Sequence, residues 1–172
     1  MNNEKNIVLT GFMGTGKTAV GEILAKRLQR EFVDMDALIE EREQRSISRI
    51  FAEDGEQYFR AIERQLVREL ANKQNMVIGT GGGAVLNPDN IRDFNRSGIL
   101  ICLNARPETI LTRVQSQKHR PLLEDGEKAE CIRSILEERK SVYASVPHQV
   151  DTDTLSRKEV TELILQIAGR EN

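Results

Sequence analysis

The chain has 172 residues, 38% hydrophobic and 30% charged, enough for one domain with its own core. Its net charge is −2 and its basic residues are spread along the chain, which argues against a nucleic-acid partner. No apolar run nears the ~20 residues that span a bilayer, and Met1-Asn2-Asn3-Glu4-Lys5-Asn6 lacks the apolar stretch of a secretory leader, so a cytoplasmic monomer without membrane contact is expected.

Ile7-Val8-Leu9 reads as a buried strand over 7–10. Behind it, Gly11-Phe12-Met13-Gly14-Thr15-Gly16-Lys17-Thr18 fits G-x-x-x-x-G-K-[ST] at every fixed position. Val20, Ile23, Leu24 and Leu28 then recur at helical spacing. Strand, glycine-rich loop and helix in this order make a phosphate cradle: backbone N–H groups and the helix N-terminus face the anion. Lys17 reaches the outer phosphates and Thr18 offers its hydroxyl to Mg²⁺. The motif says nucleoside triphosphate without saying what is done with it.

A second strand, 32–34, ends in Asp34-Met35-Asp36. Strand alternation predicts that both carboxylates leave on one side, at the edge where the phosphates sit. One could hold Mg²⁺ or its waters and the other could accept the proton of an attacking hydroxyl; the plainer alternative is a solvated acidic turn or a helix cap. A long helix follows, with Phe59, Ile62, Leu66 and Leu70 on its apolar face. Arg60 lies on it, with Glu63 and Arg64 on the same face, so a solvated charged face competes with a binding role.

A third strand, 76–79, runs into Thr80-Gly81-Gly82-Gly83, where backbone can approach a ligand closely or a strained turn can form. Asn87-Pro88 and Arg106-Pro107 place proline at first helical positions on either side of a strand over 99–103. Cys102 in that strand and Cys131 read as unpaired thiols, and His119 and His148 are isolated, with no metal assigned to either. Residues 116–126 break helical spacing and read as a lid that delivers Arg120 to the transferring phosphoryl group, or as an ordinary surface loop. In the next helix Arg139 falls on the stripe of Cys131, Ile132, Ile135, Leu136 and Tyr143. A charge there needs a partner, either a structural carboxylate or an anionic substrate gripped by both guanidinium arms. A weaker strand at 149–151 and a capping box, Ser156-Arg157-Lys158-Glu159, complete the chain. The strand–helix alternation predicts an α/β three-layer sandwich around a parallel sheet, with ligands beyond the carboxyl ends of the strands.

These motifs, with Asp54-Gly55-Glu56 before Phe59-Arg60 and Glu63, and with Arg120-Pro121-Leu122-Leu123, resemble the shikimate kinases, nucleoside-monophosphate-kinase-like P-loop proteins, over nearly the whole length. The resemblance implies a five-stranded parallel sheet of order 2-3-1-4-5, a substrate-binding helical region at about 35–65 and a lid at about 114–127. It implies ATP-dependent phosphorylation of the 3-hydroxyl of shikimate, giving shikimate 3-phosphate and ADP. By resemblance, Gly14, Thr15, Gly16, Lys17, Thr18 and Ala19 bind the nucleotide phosphates, with Arg113 near the adenine and Arg120 from the lid. Thr18 and Asp34 hold Mg²⁺, and Asp36 orients the substrate hydroxyl, with Lys17 and Arg120 completing the catalytic set. Arg60 and Arg139 grip the substrate carboxylate, while Gly82, shaped by Gly81 and Gly83, offers a backbone contact. The alternatives are another small-molecule kinase, resembling gluconate kinase, and a catalytically silent nucleotide-binding module.

Overall fold

Ile7-Val8-Leu9 and Ile99-Leu100-Ile101-Cys102-Leu103 show no polar alternation, as expected of strands covered on both faces. In the computed structural model, which describes residues 5–115 and 127–170, both lie inside a five-stranded sheet. The strands are β1 (Asn6–Thr10), β2 (Glu31–Asp34), β3 (Met76–Gly79), β4 (Gly98–Asn104) and β5 (His148–Asp151). Their order is β2-β3-β1-β4-β5, and every neighbouring pair is parallel. Each strand starts and ends within one residue of its expected bounds. The helices are α1 (Lys17–Leu28), α2 (Met35–Glu43), α3 (Ile47–Ala71), α4 (Pro88–Ser97), α5 (Pro107–Gln115), α6 (Glu127–Ala144) and α7 (Arg157–Arg170).

The sheet divides the core by strand alternation. Ile7 and Leu9 of β1, with Ile99, Ile101 and Leu103 of β4, pack on Val20 and Leu24 of α1 and Val160 and Ile164 of α7. Val8, Ile78, Leu100 and Cys102 face the other way, onto Leu66 and Leu70 of α3 and Phe94 of α4. Helix ends follow the local signals. Asn87 caps α4, its side chain accepting from Asp89 N at 2.9 Å, with Pro88 as first helical residue. Ser156 and Glu159 form the reciprocal box that starts α7, at 2.8 and 3.3 Å.

Two features position the site. Gly21 of α1 lies against the Phe32 ring, where any Cβ would collide, so α1 packs tightly over β2. The long helix α3 is broken at Gly55, where φ is 82° and ψ is 174°. Arg45, between α2 and α3, braces this break through Glu43, Glu53 and Asp54 at 3.0, 2.7 and 2.5 Å. Among the described residues, no helix is long and apolar enough to cross a membrane.

Candidate active site

The loop between β1 and α1 takes its shape from its own backbone. Gly11, Gly14 and Gly16 have φ of 133°, 76° and 100°, a region that side chains disfavour. At Gly11 a Cβ would also run into the Leu103 carbonyl oxygen. The buried Thr15 hydroxyl donates to Phe12 O at 2.8 Å and pins the turn. Lys17 Nζ donates to Gly11 O at 2.7 Å and Phe12 O at 2.9 Å, so its ammonium lies against the loop. Gly16 serves as N-cap without a side-chain cap, which leaves the first N–H groups of α1, from Lys17, Thr18 and Ala19, facing the loop.

The acidic pair arises differently from the strand alternation expected above. β2 stops at Asp34, and Asp36 already belongs to the first turn of α2. Asp34 is the N-cap of that helix, with Oδ1 accepting from Asp36 N at 3.1 Å and Ala37 N at 3.2 Å. Its other oxygen, Oδ2, accepts from the Thr18 hydroxyl at 2.8 Å. The cap and the contact with Thr18 thus fall on different oxygens of one carboxylate. The turn of α2 sends Asp36 toward the glycine loop after β3 instead: a Cβ on Gly81 would lie 2.7 Å from Asp36 Oδ1.

That glycine loop is where the distant segments meet. Thr80 joins β3 to β1, its N–H donating to Leu9 O at 2.9 Å and its hydroxyl to Thr10 Oγ1 at 3.0 Å. Arg60 comes from the part of α3 beyond the Gly55 break and lies over Gly83, where a Cβ would be 2.6 Å from Nη1. Arg60 Nη1 donates to Glu63 Oε2 at 2.8 Å, and Nε and Nη2 reach Glu56 Oε1 at 3.3 Å. Arg139 arrives from α6, with Nη1 3.6 Å from where a Gly82 Cβ would stand. Arg60 and Arg139 thus flank one short loop despite 79 residues of separation in sequence.

Glu63 was not singled out as a site residue from the sequence, where it shares a face with Arg60 and Arg64. The structure separates the three. Glu63 is 2% exposed, whereas Arg64 turns away to Asp93 at 2.7 Å. Burial pushes the Glu63 carboxyl up; Arg60 opposes this, and the nearby Asp36 carboxylate adds to it. Its spacing three residues after Arg60, one helical turn, was the available signal. Tyr143 likewise goes beyond its expected place in the apolar stripe: its hydroxyl donates to Gly82 O at 2.7 Å.

The three glycines differ. A Cβ on Gly81 would displace the Asp36 carboxylate and one on Gly83 the Arg60 guanidinium, which now occupy that space. At Gly82 the nearest atoms to a Cβ are Gly11 O at 3.5 Å, Arg139 Nη1 at 3.6 Å and the Tyr143 hydroxyl at 3.7 Å, all ordinary contacts. Among the described residues nothing demands glycine there. The contact with Gly11 also puts this loop against the phosphate loop.

Arg113 on α5 donates to Gly14 O at 3.2 Å, Thr152 Oγ1 at 3.0 Å and Thr152 O at 2.7 Å, tying the phosphate loop to the segment after β5. Arg120 and most of the expected lid lie outside the described residues. Cys102 and Cys131 are free, and burial pushes the Cys102 thiol up to about 12, so it stays protonated at neutral pH.

A model of the family "SKI: Shikimate kinase" matches residues 13–168. A shikimate kinase of Pelotomaculum thermopropionicum is 51% identical over 168 residues, covering 98% of both chains. The structure of a shikimate kinase from Acinetobacter baumannii, in complex with shikimate, superposes with a TM-score of 0.90 at 34% identity, over 98% of this chain and 95% of that one. A gluconokinase from Sinorhizobium meliloti superposes at 0.60 with 15% identity, over 99% and 97% of the two chains, a likeness of fold alone.

Proposed function

The chain belongs to the shikimate kinase family, and from that premise we propose how its residues share the work of the family's reaction. It transfers the γ-phosphoryl group of ATP to the 3-hydroxyl of shikimate, a step of the shikimate pathway. Transfer of this kind needs in-line positioning and neutralisation of charge more than covalent help from the protein. The residues fall into two groups accordingly.

The phosphate loop and α1 N-terminus hold the β- and γ-phosphates, with Lys17 neutralising charge on the transferring group. Thr18 Oγ1 and Asp34 Oδ2 would hold Mg²⁺. They are hard oxygen donors at the end of that loop, and Mg²⁺ typically takes one or two protein carboxylates plus phosphate oxygens. When bound, the ion supplies electrostatic stabilisation of the phosphate oxygens. Arg113 closes the nucleotide side, and Arg120 brings a further positive charge to the transferring group from a lid at about 114–127.

Arg60 and Arg139 hold the shikimate carboxylate from two sides, Gly82 supplies close backbone contact, and Asp36 orients the 3-hydroxyl and accepts its proton. Residues at about 35–65 form the substrate-binding region. The observation that carries this reading is Gly82: a glycine that no described side chain requires, between two arginines and against the phosphate loop. A ligand passing close to the backbone explains it. Such a kinase works in the cytoplasm, where ATP is supplied, and the two free thiols agree with a reducing compartment.

The test is ADP release from ATP and Mg²⁺ with shikimate and gluconate offered separately at equal concentration. Release with shikimate alone is expected. Equal release with gluconate would overturn the carboxylate-and-ring reading of the corner, and release with neither would leave a nucleotide-binding module.

A further inference from the structure

Tyr143 stands one helical turn beyond Arg139 on α6, so the two side chains leave the same face. Its ring is buried, 5% exposed, and its hydroxyl donates to Gly82 O at 2.7 Å. Arg139 Nη1 and this hydroxyl stand beside the same residue, 3.6 and 3.7 Å from where a Gly82 Cβ would be. The phenol's proton is thus committed to the loop that Arg139 flanks. A phenyl ring would fill the same volume, so packing alone gives no reason for the oxygen.

The Gly82 carbonyl shares its planar peptide with the Gly83 N–H. That peptide joins two glycines, the residue with the fewest conformational restraints, and Gly83 is the one over which Arg60 lies. Fixing the carbonyl therefore fixes the loop surface between the two arginines. We infer that Tyr143 is a positioning residue for recognition of the acid, fixing the Gly82–Gly83 peptide beside Arg139. The inference rests on the reading above that Arg60 and Arg139 hold a carboxylate; Tyr143 acts on it through the peptide that it fixes between them. Burial raises the phenol above its ordinary pKa, so it keeps the donated proton at neutral pH. A merely structural tyrosine in the core would affect both substrates alike. A positioning one affects only the acid.

Steady-state kinetics of Tyr143→Phe tests this. The KM for shikimate rises about tenfold and the KM for ATP stays within about twofold, as expected when one buried hydrogen bond beside a charged group is lost. An unchanged shikimate KM, or a parallel rise in both, overturns the inference. A second measurement does not depend on that variant folding. The chain has two tyrosines, Tyr58 and Tyr143, so 3-fluorotyrosine labelling gives two ¹⁹F signals, assigned with Tyr58→Phe. The Tyr143 signal shifts in Arg139→Lys relative to the unsubstituted chain; a signal that does not move overturns the coupling. Failure of the underlying reading looks different: Arg139→Lys itself would then leave the shikimate KM unchanged. A raised KM in Arg139→Lys beside a silent Tyr143→Phe overturns the Tyr143 role alone.

Discussion

Residues 11–18 alone make the phosphate loop, whereas the corner proposed to hold the acid draws on Asp36, Arg60, Glu63, the glycines after β3, Arg139 and Tyr143. Both lie at the same edge of the sheet, but they are stabilised differently. The loop is backbone with three left-handed glycines, a hydroxyl and an ammonium bonded to its own carbonyls. The corner is side chain against side chain, a buried carboxylate between cations, with a tyrosine as the link to α6. A loop built locally is set once strand and helix exist. A corner assembled from four segments is set only when the packing of α2, α3 and α6 on the sheet is right. Substitutions in the loop should therefore act on chemistry, and substitutions in the corner on affinity for one substrate.

Lys17→Met should break the first half of this contrast. Turnover is expected to fall by about 10³ or more, since charge stabilisation of the phosphoryl group carries most of this chemistry. The shikimate KM and the melting temperature should stay near wild type; near-normal kcat would remove Lys17 from the reaction. Arg139→Ala tests the second half. A loss on the order of 2–5 kcal/mol in shikimate binding is expected for truncating one partner of a hydrogen-bonded charge pair, read by calorimetry with ATP affinity as control. Cooperative unfolding at room temperature would instead make Arg139 a structural cation.

The glycines sharpen the comparison within the corner. Gly82→Ala should fold with an unchanged melting temperature, because its Cβ meets only ordinary contacts, yet raise the shikimate KM about tenfold through the close approach it blocks. Gly83→Ala should lower stability as well, because its Cβ displaces the Arg60 guanidinium. Equal behaviour of the two variants would erase the distinction drawn between them.

The smallest effect is in pH. The Glu63 carboxyl is raised in the folded protein, above all by burial, so between its ordinary value of 4.5 and its folded value the native state binds more protons than the unfolded state. Its contribution is fully present below 4.5 and is lost as pH rises through the folded value. Glu63→Gln, neutral throughout, should therefore gain in melting temperature relative to wild type as pH climbs through that window. The opposite trend would mean that the Arg60 pairing outweighs the cost of burial.

Much of the fold was legible because its signals are local. Apolar runs without alternation gave doubly covered strands, and Asn87-Pro88 and Ser156 with Glu159 gave helix starts through bonds spanning two or three residues. Within the site, Arg139 stood out because a charge on an apolar stripe is costly without a partner. Glu63 did not, since it is buried against the glycine loop after β3, which sequence spacing on α3 cannot report. The Asp34–Asp36 argument reached the right edge by the wrong period: the chain changes from strand to helix between the two residues, and periodicity in three residues cannot reveal that change.

The sequence by itself determined the phosphate loop, the order of strands and helices along the chain, and the family, because each rests on consecutive residues or on motifs in a fixed order. Tertiary structure alone decided which oxygen of Asp34 caps α2 and which meets Thr18, which of the three glycines make room for Asp36 and Arg60, and where Glu63 and Tyr143 point. Those are distances between segments tens of residues apart, fixed by how the helices pack on the sheet and by the break of α3 at Gly55.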